Sequence, residues 1–182
     1  VYAYSDGLER KKLEALVNKR FGLAATTVGN QVIFGGGYHV SKNGSTTYWD
    51  GTNIIDVYDD LLVKNKNVEY TLYLSQNRMK PAATTVGGFA LFSGSATDTK
   101  SSNPVVTVDA FNESLTLTTL TISTPDRTEI KATTVGNFAL FSGGYLRLDS
   151  CYGVVDVFNE SLVHTITTEL SQARRVGAAT TI

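Results

Sequence analysis

Nearly the same dozen residues recur along the chain. It reads TTVGNFALFSGG from Thr133 to Gly144, TTVGGFALFSG from Thr84 to Gly94 and TTVGNQVIFGG from Thr26 to Gly36, and it stops on ATTI. Self-similarity at a fixed period marks a repeat architecture, in which each unit is one supersecondary element that buries its faces against its neighbours. Two further anchors hold the same phase. An arginine stands six residues before each first threonine: Arg20, Arg78, Arg127 and Arg174, spaced by 58, 49 and 47 residues. The other anchor is an apolar–Asp–apolar–aromatic stretch, IDVYDDLL from Ile55, VDAFNESL from Val108 and VDVFNESL from Val155, which carries Asp56, Asp109 and Asp156. Its aromatic residue (Tyr58, Phe111 or Phe158) is followed four residues later by Leu62, Leu115 or Leu162, and the opening VYAYSDGL fits the frame through Tyr4 and Leu8.

Each unit reads as four short strands. A small, β-branched strand such as AATTV leads into a two-residue turn, Gly29-Asn30, Gly87-Gly88 or Gly136-Asn137, where glycine and asparagine accept the positive φ of a tight hairpin. The apolar run QVIF or FALF follows and ends on small residues, then a variable loop, the Asp-aromatic strand and a Thr/Leu-rich fourth strand. Four antiparallel strands repeated at this period predict an all-β fold, a β-propeller of four-stranded blades. The ring is incomplete: a partial blade over 1–19, blades over 20–77, 78–126 and 127–173, and an inner strand over 174–182. SDGLERKKLEALVNKR from Ser5 has the caps and apolar spacing of a helix, but the repeat phase assigns it to the third and fourth strands, and agreement across units prevails. Ending in mid-strand favours a segment of a longer propeller over a ring completed by other copies of the chain or by pairing of its terminal strands.

These residues resemble the kelch repeat: Arg127, the Gly136-Asn137 turn, the apolar run Phe138 to Phe141, the Gly143-Gly144 pair and the later aromatic Phe158, with equivalents in the other units. The resemblance covers essentially the whole chain and implies a propeller of radially packed blades. Two features depart from it. The tryptophan usual about seven residues after the aromatic is replaced by Lys11, Asn65, Thr118 and Thr165, and Ser95 stands where a second glycine is expected. The only tryptophan, Trp49, falls in a loop.

Lys plus Arg and Asp plus Glu nearly cancel, for a formal net charge of -1, and no dense basic block occurs outside ERKKLE, so nucleic acid is not an expected partner. No run approaches the ~20 apolar residues of a membrane span, so membrane insertion is not expected. The single cysteine, Cys151, excludes an intrachain disulfide and does not fix the compartment. The Thr/Ser/Gly/Asn-rich composition is compatible with an extracellular or particle surface. The sequons at Asn43, Asn112 and Asn159 include two copies of one turn phrase, FNES.

A residue present in every unit is expected to be scaffold. Arg20, Arg78, Arg127 and Arg174 are therefore read as binding loop carbonyls, and Asp56, Asp109 and Asp156 as tying turn amides. Function is expected where units differ. The longest loop, Tyr38 to Asn53, carries Tyr38, His39, Tyr48, Trp49 and Asp50, and the matching loop of the last full unit carries Tyr145, Arg147, Asp149 and Tyr152. Aromatic faces with polar tips suit stacking on a sugar or anchoring a peptide. The middle loop, SATDTKSSNP, reads as a spacer. His39 and His164 sit at different phases of the repeat, so no copper or other metal site is expected. No Walker loop, HExxH or GxSxG motif occurs. The expected function is a noncatalytic interaction or adhesion module for protein or glycan, without cofactor. The alternatives are a carbohydrate-active propeller enzyme of epimerase or lyase type, using Arg and Asp around the channel, and a structural surface or virion component.

Overall fold

The computed structural model describes residues 1–67, 72–94, 106–146, 150–175 and 177–180. Among them every regular element is a strand. An amino-terminal hairpin pairs β1 (Tyr2–Tyr4) with β2 (Arg10–Lys12); the helix-like stretch Ser5–Arg20 forms no helix, with a strand only at Arg10–Lys12 and turns and irregular chain elsewhere. Next come β3 (Ala24–Val28), β4 (Gln31–Gly35), β5 (Tyr38–Asn43), β6 (Thr46–Tyr58) and β7 (Tyr73–Arg78). β8 (Ala82–Val86), β9 (Phe89–Ser93), β10 (Val106–Asn112) and β11 (Leu117–Ile122) form one four-stranded antiparallel sheet in sequence order. β12 (Lys131–Val135), β13 (Phe138–Ser142), β14 (Val155–Asn159) and β15 (His164–Ile166) form another. The first unit has the same plan in β3–β4–β6–β7, elaborated by β5, which pairs with the first half of the 13-residue β6.

The repeated phrase is the β3–β4, β8–β9 and β12–β13 hairpin. Val28 faces Gln31, Val86 faces Phe89 and Val135 faces Phe138 across two-residue turns. Only glycine takes positive φ in two of these turns. Gly29 (50°) and Gly136 (52°) do so while Asn30 and Asn137 do not, correcting the expectation that both turn residues would; Gly87 and Gly88 both do. The first pattern is that of a type II′ turn and the second of a type I′ turn.

The β-branched spelling of β3, β8 and β12 has a second cause. These strands lie side by side, and their threonines hydrogen-bond between sheets: Thr26 Oγ1 lies 2.8 Å from Thr85 Oγ1, and Thr84 Oγ1 lies 2.6 Å from Thr134 Oγ1. The Thr85 hydroxyl also donates to the Thr27 carbonyl, and that of Thr134 to the Thr85 carbonyl. Small hydroxylated side chains let the backbones approach and satisfy one another where a larger residue would hold them apart.

The core consists of two apolar layers, each between consecutive sheets. Val28, Ile33, Ile55, Val57 and Leu74 of the first sheet meet Ala90, Phe92 and Phe111 of the second. Val86, Leu91, Val108 and Ile122 of the second meet Ala139, Phe141 and Phe158 of the third. An edge-to-face ring pair recurs in every unit, Phe34–Tyr58, Phe92–Phe111 and Phe141–Phe158, with centroids 5.7, 6.2 and 6.0 Å apart. Such pairs stabilise by roughly 0.5–1.5 kcal/mol beyond burial. The leucine four residues after each aromatic has a positive φ: Leu8 59°, Leu62 63°, Leu115 60° and Leu162 60°. Each closes a turn by donating its amide to the carbonyl three residues back. Leu115 and Leu162 pack into the layer shared with the preceding sheet, which offsets the cost of a backbone conformation better suited to glycine.

Candidate functional site

The repeated arginines and aspartates meet as buried ion pairs. Arg78 donates through Nε (3.2 Å) and Nη2 (3.0 Å) to Asp109 Oδ2, through Nη1 to the Gly94 carbonyl (2.6 Å) and through Nη2 to the Thr107 carbonyl (2.9 Å). Arg127 pairs with Asp156 and donates to the Gly143 carbonyl at 2.7 Å, while Arg20 Nε donates to the Gly36 carbonyl at 2.8 Å and its Nη1 lies 2.8 Å from Asp56 Oδ2. Burial pulls the Arg78 and Arg127 guanidinium groups below their ordinary value, against the opposing pull of Asp109 and Asp156. A group that starts so high stays charged. A second donor completes each carboxylate: the Lys64 ammonium (2.9 Å) and the Val17 amide (2.9 Å) on Asp56, the Ser75 amide (3.1 Å) on Asp109 and the His164 ring (2.8 Å) on Asp156. Arg174 is exposed and keeps the backbone half of the pattern, its carbonyl accepting from the Gly144 amide at 3.0 Å as that of Arg78 accepts from Gly37 at 2.8 Å. A Cβ on Gly36 or Gly143 would approach these arginine carbonyls to 3.0 and 2.9 Å, and both glycines have positive φ, so the glycine pair is required twice over.

Surface chemistry lies at the end of the sheets where these glycine pairs stand. The stretch Tyr38 to Asn53, expected as a loop, is instead the projecting β5–β6 hairpin, and Trp49 stands on a strand. Asn43 faces Thr46 across Gly44-Ser45, and the Asn-Gly dipeptide is the signal that would have revealed the hairpin. Alternation divides the expected site residues between two faces. Tyr38 and Trp49 share one face, with ring centroids 5.4 Å apart, and Phe21 joins them at 5.8 Å from Tyr38. His39, Tyr48 and Asp50 belong to the other face, where Asp50 accepts from the Ser41 hydroxyl at 3.2 Å. Trp49 is 56% exposed, and Phe21 and Tyr48 are also exposed. Phe21 enters the cluster because it bridges to Tyr38 just beyond the buried Arg20.

Thr128 and Tyr145 repeat that bridge in the last sheet, and the Arg175 guanidinium sits 5.3 Å from the centroid of the Tyr145 ring. Tyr152 is half-buried, donating its amide to the Gly144 carbonyl. Arg147, Asp149 and Ser95 lie outside the described residues, as does the spacer SATDTKSSNP. Between the two aromatic groups lies Lys80, bonded to the Glu129 carboxylate. That bond, countered in part by burial, raises the Lys80 ammonium above its ordinary value, with smaller contributions from Tyr145 and Tyr38. Among the described residues no three His, Cys, Asp or Glu side chains stand together as a metal site. No protein-family model matches the chain, and no curated protein matches it in sequence.

Proposed function

We propose that the chain is a section of a kelch-like β-propeller and acts as a noncatalytic binding module, taking a glycan or protein ligand at the end from which the β5–β6 hairpin projects. Three sheets of one pattern with their innermost strands side by side support the propeller reading. The binding reading is carried by one observation, the Phe21–Tyr38–Trp49 cluster at the β5–β6 hairpin, with Phe21 and Trp49 exposed. Phe21 and Trp49 keep large rings in water on either side of the half-buried Tyr38, and rigid aromatics bind at low entropic cost. An enzymatic reading through the repeated Arg and Asp groups is less well supported, because Arg20, Arg78, Arg127 and their carboxylates are buried against each other. The partners this reading implies are the ligand itself and further sheets of the same repeat.

Trp49 is the sole tryptophan, so its fluorescence reports on the site directly. Labelled protein is screened on a glycan microarray and a peptide library, and hits are titrated against Trp49 emission. A ligand at this cluster shifts that emission, and Trp49→Ala, titrated by calorimetry because it has no tryptophan left to report, binds the ligand about 30-fold or more weakly, as loss of a ~2 kcal/mol anchor requires. Unchanged affinity in Trp49→Ala would remove the cluster from the function.

A further inference from the structure

We propose that the cleft at the starts of the innermost strands is a subsite for a sugar ring bearing a carboxylate; this rests on the glycan arm of the reading above and names the ligand class. The cleft has a volume of about 370 Å³, within the ordinary range of small-ligand sites. Its lining combines Gly22 and the apolar Leu23 and Pro81, with the buried Ile130 beneath them, and the charged Lys80, Glu129 and Lys131. That combination suits a pyranose, which has a C–H face and a rim of hydroxyl groups.

Two cations against one carboxylate leave the cleft net positive. Lys80 is bonded to Glu129, whereas Lys131 has no carboxylate partner among the described residues. One available ammonium beside an apolar wall matches a single carboxylate; a phosphate would call for several convergent N–H donors. Glu129 has a φ of 56° where the first unit has Gly22 at 60°. A side chain in a conformation natural to glycine, lining a cleft, is the kind of local strain that collects at binding sites. The cleft also joins the aromatic cluster. A Cβ on Gly22 would lie 2.9 Å from Tyr38 Cε1, and Lys80 is within electrostatic reach of both Tyr38 and Tyr145. In this arrangement the C–H face of the acidic ring lies on Leu23 and Pro81, a ring hydroxyl donates to Glu129, the carboxylate meets Lys131, and a neighbouring ring of the chain stacks on Trp49.

The test is calorimetric titration of the protein with two matched pairs, tri-galacturonate against its methyl ester and 3′-sialyllactose against lactose, with Trp49 emission read on the same samples. One acidic member binds at least ten-fold more tightly than its neutral partner, and which one it is separates a uronic from a sialic source. The preference shrinks as salt rises. Lys131→Gln, shown folded by circular dichroism, erases the preference. Equal binding of acidic and neutral members, or a preference that survives Lys131→Gln, overturns the carboxylate subsite and leaves the wider binding reading standing. Binding to no glycan and no peptide overturns both.

Discussion

Val28, Val86 and Val135 occupy the same place in three nearly identical hairpins, yet they are 1%, 3% and 53% exposed. The first two are covered by the following sheet, whereas Val135 lies on the outer face of the third sheet beside Phe138, Leu140, Val157 and Ile166. Replacing each by alanine therefore isolates what one sheet contributes to the one before it. At Val86, removing two methyl-sized groups costs about 1.6 kcal/mol in transfer, and the cavity left behind adds roughly 1 kcal/mol. At Val135 about half of the transfer cost applies, roughly 0.8 kcal/mol, and water fills the space. The change in strand preference is common to both sites and cancels. The difference is about 2 kcal/mol, which at a urea m-value of about 2 kcal/mol/M moves the midpoint by about 1 M. Urea unfolding followed by far-UV circular dichroism should place Val28→Ala and Val86→Ala together, well below Val135→Ala. Losses at Val86 and Val135 within about 0.5 kcal/mol of each other, the usual scatter between independent sites, would refute the sheet-on-sheet packing.

Three other perturbations have defined outcomes. Arg78→Met strands the buried Asp109 carboxylate and should cost about 3–5 kcal/mol in the same assay, with Arg78→Met/Asp109→Leu recovering part of the loss. Gly87→Ala places a Cβ 2.6 Å from Glu160 Cα in the turn after β14, and overpacking should destabilise by about 1–3 kcal/mol, read as a lower thermal midpoint. Lys80 should titrate above its ordinary value by side-chain NMR, and Glu129→Gln should bring it back down. The sign follows from the raised value: the pair stabilises the fold below the ordinary lysine range and stops doing so as pH climbs through the raised one.

Much of the scaffold was legible because its anchors repeat. Thr-Thr-Val, the arginines and the Asp-aromatic stretch kept phase, which was enough to override the helix-like pattern from Ser5 to Arg20, although only Arg10–Lys12 of that stretch is a strand. Partnership was not legible. Arg78 and Asp109 both recur, but period alone does not say that they meet, and each was assigned separately to carbonyls and amides. Leu115 and Leu162 were visible as fixed positions, while their positive φ ran against residue preference; packing on the preceding sheet offsets that cost, although the exposed Leu8 adopts the same φ. At the candidate site, Tyr38 and Trp49 were found by composition; Phe21, Lys80 and Glu129 were missed, since only the fold brings the segment after each arginine to the base of the hairpin. Splitting Trp49 from Tyr48 needed the strand register, which a loop assignment could not supply.

The backward reach of Leu115 and Leu162 has a consequence for how such a chain matures on the ribosome. Each apolar layer is finished by side chains synthesised a whole unit later, as Phe111 and Leu115 finish the one begun by Val28 and Ile33. A newly emerged unit therefore stays unsealed until its successor leaves the exit tunnel. Cooperative closure trails translation by about one unit's worth of synthesis, a few seconds at ~5–20 residues per second.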